Sequence, residues 1–285
     1  MGQVELEQLS EHVFRISVPT RTIPPLNQTN TYVIKAGQSA YVVDCGGAEM
    51  DVIAQVASLF ASLGIKQVIG YVATHYHPDH TVGIPLLRQF FEAPVYVHPF
   101  DQANAAKEMH VDSAHLQAPA SVLTIASVSL RVMHQPGHTH GHLHIQVDPD
   151  DLLMVGDHMA GEGTVWIGPP DGHMRDYYEA LKKIAASSAT FALPGHGAPI
   201  ASPQTASAAL LQHRLDREAQ IRQLLTTRPH TLNEIVTALY ADRNLGSALR
   251  FAKRTTQAHL THLIDNGYVG RRCLAPDFKM VYYHL

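Results

Sequence analysis

The segment His75-Tyr76-His77-Pro78-Asp79-His80 follows directly on the apolar, β-branched run from Val68 to Thr74. That run reads as a buried strand, so the histidines begin where a strand ends and a loop takes over. Alternate residues of an extended strand exit point the same way, which brings His75 and His77 within reach of one ion. Pro78 turns the chain, and Asp79 and His80 then face a second ion nearby.

Three later segments extend the set. Pro136-Gly137-His138-Thr139 places a histidine after a sharp turn, Val155-Gly156-Asp157 a carboxylate at a strand end, and Pro194-Gly195-His196-Gly197 another histidine in a glycine-framed loop. Each stands beside a glycine, as expected where backbone must approach an ion closely. The chain is rich in histidine, with 20 in 285 residues, and poor in cysteine, with two. Cys45 and Cys273 form no CxxC pair, so neither a disulfide framework nor a thiolate site is indicated. This usage suits a reducing compartment, and a cytoplasmic location is the expectation. Met1 to Ser10 lacks the apolar stretch of a secretory signal, and no apolar run reaches membrane-spanning length.

Strands are predicted at Val13–Val18, Tyr32–Lys35, Tyr41–Asp44, Val68–Thr74, Val95–His98, Val122–Ile125, Val128–His134, Leu143–Val147, Leu152–Val155 and Phe191–Leu193. Helical spacing covers Met50–Leu63, Gly83–Phe91 and Asp176–Ser187. This mixture predicts an α/β fold of sheet layers covered by helices, with the candidate ligands at strand ends. From about Pro203 the texture changes. Helices are predicted at Leu210–Leu225, Thr231–Tyr240 (Thr231 and Glu234 forming a capping box) and Ala248–Asp265, followed by a hairpin of Tyr268–Arg272 and Lys279–His284. Helices followed by a short hairpin describe a winged helix. Residues 1–203 carry 10 Lys and Arg against 19 Asp and Glu, whereas 204–285 carry 11 against 6. Two domains are therefore expected, 1–203 and 204–285.

The set HxHxDH, PGH, GD and PGHG, in this order and spacing, resembles the metallo-β-lactamase superfamily over about residues 1–203. The resemblance implies an αββα sandwich with a metal site at one edge of the sheets. By motif position, it implies one ion on His75, His77 and His138 and another on Asp79, His80 and His196, with Asp157 bridging and Asp79 and Asp157 as the catalytic carboxylates. Two divalent ions about 3.5–4 Å apart share a water and depress its pKa to about 7, so hydroxide forms at neutral pH and attacks an acyl carbon or a phosphorus. Zinc suits these donors; iron and manganese accept them too. Cysteine is missing from the ligand positions, unlike in many β-lactamases that hydrolyse antibiotics. Gly161-Glu162-Gly163-Thr164 and the winged-helix tail resemble the branch holding a single-strand endoribonuclease, while the metal motif is shared with hydroxyacylglutathione hydrolase.

Further candidates surround this set. Asp44, Thr139 and His142 are read as residues that orient ligands, with a turn-starting Asp and a structural His as the plain alternatives. His158 follows Asp157, and strand alternation aims it away from the cleft. His173, Arg175, Tyr177 and Tyr178 could contact a polar substrate, or form a plain loop with inward tyrosines. Arg250, Lys253, Arg254, Thr255, Thr256 and Gln257 lie where a winged helix would grip nucleic acid, and the favoured alternative is a packing or lid role. The leading expectation is a metal-dependent hydrolase of a small ester or thioester. Its rivals are a single-stranded RNA endonuclease and a metal-sensing DNA-binding regulator; a homo-oligomer is left open.

Overall fold

In the computed structural model, which describes residues 3–22, 26–148, 150–242 and 244–285, the alternating apolar residues of the early strands build a seven-stranded sheet in the order β1-β2-β3-β4-β5-β6-β7. Its members are β1 (Glu5–Gln8), β2 (Val13–Pro19), β3 (Gln28–Ala36), β4 (Ser39–Val43), β5 (Gln67–Val72), β6 (Val95–Tyr96) and β7 (Leu116–Gln117). The first four pair antiparallel; β4 to β7 run parallel. A second, six-stranded sheet comprises β8 (Val122–Ile125), β9 (Val128–His134), β10 (Leu143–Asp148), β11 (Leu152–Gly156), β12 (Phe191–Pro194) and β13 (Ile200–Ala201), ordered β13-β12-β11-β10-β9-β8.

Period-two patterning explains why the sheets stack. Tyr32, Ile34, Tyr41, Val43 and Val72 point from the first sheet into a core shared with Leu130, Val132, Ile145, Val147 and Met154 of the second. Their neighbours Val33 and Val42, with Ile16 and Val18, face the other way. There they meet Val52, Ile53, Val56 and Phe60 of helix α1 (Met50–Ser62). Both faces of β3 and β4 are therefore apolar, as a sheet covered on both sides requires. Three more helices lie on this side of the chain: α2 (Pro78–Thr81), α3 (Ile84–Leu87) and α4 (Pro99–Met109). The expected single helix over 83–91 is shorter, and α4 was not expected. Its sequence, PFDQANAAKEM, lacks a strong apolar stripe, and only Ala105, Ala106 and Met109 join the core.

The chain divides into two compact units, Met1–Val165 with Ser187–Pro203, and Trp166–Ala186 with Gln204–Leu285. The segment 166–186, which includes α5 (Met174–Ala185), thus groups with the C-terminal part, whereas the sequence reading set a single division after residue 203. The second unit adds α6 (Pro203–Leu225), α7 (Leu232–Leu239), α8 (Leu249–Asp265) and an antiparallel hairpin, β14 (Val269–Leu274) and β15 (Lys279–His284). Helix α6 begins earlier than the predicted Leu210. The Thr231–Glu234 capping box forms as read from sequence, with the Thr231 amide 2.7 Å from Glu234 Oε2. Ile221, Leu225, Ile235, Leu260, Leu263, Val269 and Tyr282 make its small core.

Beside that core lies a buried polar cluster. Glu218 Oε1 accepts from Tyr178 Oη at 2.7 Å and faces the Nδ1 atoms of His259 and His262 at 3.2 and 2.9 Å. Burial pushes the Glu218 carboxyl up, but the bonds from His259, His262 and Tyr178 outweigh it and bring it down to about 2. Burial lowers His259 to about 4. Both groups are depressed in the folded chain, so both favour the fold at neutral pH and lose that contribution as acid is added. The His259 contribution fades as pH falls from 6.5 through about 4. The Glu218 contribution fades from 4.5 through about 2. Glu218→Gln is expected to weaken the second unit by about 1–3 kcal/mol at pH 7. The deficit should shrink in strong acid, as measured by amide exchange of α8 across pH.

Candidate metal centre

The parallel pairs β4–β5 and β11–β12 aim their C-terminal ends at the loops that carry the histidines and aspartates. Val43 pairs with Val72, and Asp44 and His75 follow them. Gly156 pairs with Pro194, and Asp157 and His196 follow those. The Leu143 amide donates to the Thr74 carbonyl at 2.7 Å and the Asn30 amide to the Gly195 carbonyl at 2.8 Å, so backbone bonds stitch the two sheets together beside the site.

Two donor groups converge there. His75 Nε2 and His138 Nε2 each lie 2.9 Å from His77 Nδ1. The three rings stand nearly perpendicular, at 85°, 88° and 86° in pairs. Perpendicular imidazoles sharing one apex direct their in-plane lone pairs at a common point. Tetrahedral zinc, at 2.0–2.1 Å from each nitrogen, spaces its donors by roughly 3.3 Å, close to what these rings offer. The second group is Asp79, His80 and His196. His80 Nε2 and His196 Nε2 are 3.3 Å apart, and Asp79 Oδ2 is 3.5 Å from His196 Nε2. Asp157 stands between the groups: its Oδ2 is 3.7 Å from His138 Nε2 and 3.6 Å from His196 Nε2. Its Oδ1 is buried with no hydrogen bond and faces His80 Nε2 at 3.4 Å; a buried carboxylate is paired in this way or coordinates a metal. A Cβ on Gly195 would lie 2.5 Å from both Asp157 Oδ1 and His80 Cε1, so only glycine lets this loop come so close.

Acceptors behind the histidines fix their tautomers. Asp44 Oδ2 is 2.8 Å from His80 Nδ1, and the Gln28 carbonyl 2.8 Å from His196 Nδ1, which leaves both Nε2 atoms for the site. Asp44 also accepts from the Thr74 amide and hydroxyl, both at 2.7 Å. Its carboxylate thus joins the exit of β5 to the His80 ring. Burial holds His75 well below its ordinary range and brings His77 down to about 3. Neutral imidazole is the form with a lone pair to give. Burial also disfavours charge on His80 and His196, but the neighbouring Asp157 carboxylate outweighs it and lifts His196 to about 10. The carboxylates thus demand positive charge, which divalent cations would supply in place of protons.

Thr139 and His142 are both fully buried. Thr139 Oγ1 donates to Asp101 at 2.7 Å, and His142 Nε2 accepts from the Asp157 amide at 3.1 Å. His158 is not clear of the donor groups: its Nε2 accepts from the His138 amide at 3.4 Å, while its Nδ1 lies 2.7 Å from His144 Nε2. His142, His144 and His158 form a third close cluster. The His142 and His158 rings stack with planes 28° apart, and His142 Nε2 is already engaged by the Asp157 amide. Of the suggested substrate contacts, Tyr177 and Tyr178 are committed to the interior of the second unit, Tyr177 under the Arg214 guanidinium and Tyr178 on Glu218. Arg175 pairs with Asp176, and half-buried His173 lies 3.6 Å from the same carboxylate. Sequence reasoning missed Asn30, whose Nδ2 holds the Pro194 and Gly197 carbonyls at 2.9 and 2.8 Å, and Thr22, whose hydroxyl donates to Asp79 at 2.6 Å. A buried asparagine amid Thr29 and Thr31 in a strand was the available signal.

A family model described as the Metallo-beta-lactamase superfamily matches residues 24–196. The chain belongs to that superfamily. It is a hydrolase of the metallo-beta-lactamase superfamily. It is 26% identical over 253 residues to an atrochrysone carboxyl ACP thioesterase of Aspergillus novofumigatus, covering 84% of this chain and 74% of that protein. It is 28% identical over 243 residues to a beta-lactamase-like protein 2 homolog of Caenorhabditis elegans, covering 83% and 79%. Among solved structures, a beta-lactamase domain protein from Burkholderia ambifaria shares its fold with a TM-score of 0.86 at 19% identity, covering 99% of this chain and 94% of that one. A metallo-beta-lactamase family protein from Thermus thermophilus gives 0.76 at 24%, covering 98% and 100%.

Removing His77 is expected to empty the group it shares with His75 and His138. Asp44→Ala, which frees the His80 ring, should weaken cation binding about 10–100-fold. Metal content after dialysis and competition with a chromophoric chelator measure both. Wild-type retention of metal by His77→Ala would refute the assignment.

Proposed function

We propose that this metallo-beta-lactamase superfamily chain is a binuclear metal-dependent hydrolase of a small thioester or ester. His75, His77 and His138 hold one divalent cation and Asp79, His80 and His196 the other, with Asp157 shared. The observation that carries the reading is the pair of donor groups meeting at Asp157, whose Oδ2 stands within 3.7 Å of a histidine from each. Bound there, two zinc, iron or manganese ions would supply an activated water at neutral pH and an electrophile for the attacked oxygen. The protein's share is positional. Asp44 and the Gln28 carbonyl keep Nδ1 of His80 and His196 occupied, and the Thr22 hydroxyl holds Asp79 at 2.6 Å. No side-chain nucleophile is needed.

The thioester preference is supported by the relatives named as acyl-carrier-protein thioesterases. The α6–α8 helices and the β14–β15 hairpin are proposed to be a winged helix; the paired amides and carbonyls of His230 and Tyr282 tie the start of α7 to the hairpin. Its basic residues give little support to nucleic-acid binding, either as an RNA endonuclease or as a regulator. Thr255 and Thr256 are buried, Arg254 donates to the Pro169 carbonyl at 2.7 Å, and Arg250 lies over the Phe251 ring. No described helix is long and apolar enough to cross a membrane.

Metal-loaded protein is expected to release thiol from a panel of short acyl thioesters and to leave a labelled single-stranded RNA intact. A chelator should abolish turnover, and added zinc or manganese restore it. Cleavage of the RNA with inert thioesters would overturn the substrate assignment.

A further inference from the structure

Asp101 sits in the first turn of α4 and is 1% exposed. No motif marks it, yet its carboxylate reaches both segments that carry the first donor group. Oδ2 accepts from the Thr139 hydroxyl at 2.7 Å and from the Tyr76 amide at 3.3 Å, and Oδ1 accepts from the Gly141 amide at 2.8 Å. Tyr76 lies between His75 and His77, and Thr139 follows His138. A Cβ on Gly141 would lie 2.6 Å from Asp101 Cγ, so the loop after His138 can close on this carboxylate only without a side chain there.

We propose that Asp101 is a positioning residue that clamps the His75–His77 segment to the His138 loop and so sets the angle at which the three imidazoles meet. The inference rests on the metal-binding reading above. A carboxylate offers about four acceptor sites on two oxygens, enough to hold two backbone amides and a hydroxyl at once. Helix α4 supplies a fixed base, because Ala105, Ala106 and Met109 anchor it in the core. A donor set needs its members within about 0.5 Å of the productive geometry, and loops alone do not hold that tolerance.

The test uses the full chain loaded with cobalt or zinc. Asp101→Ala is expected to bind one of two cations about 10–100-fold more weakly in chelator competition. It should also alter the visible absorption of the cobalt form. Asp101→Asn should fall between Ala and wild type, since its oxygen still accepts from Gly141 and its amide can donate to Thr139. A lower melting temperature with wild-type affinity and an unchanged cobalt spectrum in Asp101→Ala would mean a merely structural role and overturn the proposal. Should Asp101→Ala give no cooperative melt, Thr139→Val decides: it deletes one of the three bonds at nearly constant volume. Severalfold weaker binding supports the clamp, and unchanged affinity and spectrum overturn it. Failure of the wild-type chain to bind either metal would instead sink the metal reading, and the clamp with it.

Discussion

Carboxylates and imidazoles gathered in a largely buried pocket are tenable only when each charge meets its opposite and each proton has an acceptor. Asp44 shows the constraint most clearly. At the end of β4 its backbone takes a φ of 56°, and its buried carboxylate receives the Thr74 amide, the Thr74 hydroxyl and His80 Nδ1. One side chain therefore ties β4 to the exit of β5 and orients a histidine. Were that carboxylate absent, the β5 exit would lose an acceptor and His80 the partner that fixes its tautomer.

The same logic runs around the pocket. Asn30 and Tyr32 of β3 hold the Pro194 carbonyl, and Asn30 and Arg15 hold that of Gly197, so the His196 loop is braced by the opposite sheet. Asp101 braces the loops of the other donor group. The stacked sheets are consequently more than a core. Their apolar faces fix the distance between strand ends, and the polar residues at those ends turn that distance into aligned nitrogen and oxygen atoms.

The second unit meets the cost of buried charge differently. Glu218 is satisfied by three side chains of the second unit: Tyr178, His259 and His262. That arrangement absorbs α8 residues into packing. It also accounts for the burial of Tyr178, which bonds to Glu218, while Tyr177 packs beside the Arg214 guanidinium.

Local sequence was enough to mark seven candidate donors that the fold gathers into two groups around Asp157, because each lies where a strand pattern breaks at glycine or proline, and enough to place most strands, because alternation is a property of neighbouring residues. Superfamily membership followed from the order and spacing of those motifs. Asp101 and Thr22 carry no motif and Asn30 only the faint signal of a polar run in a strand, because the site residues that all three hold lie 25 or more positions away. The grouping of 166–186 with the C-terminal part was hidden for the same reason. Helix α4 was missed because its apolar contacts are few. Which donors meet, which tautomer each adopts and what holds them depend on hydrogen bonds between distant segments, and those bonds exist only once the two sheets have packed.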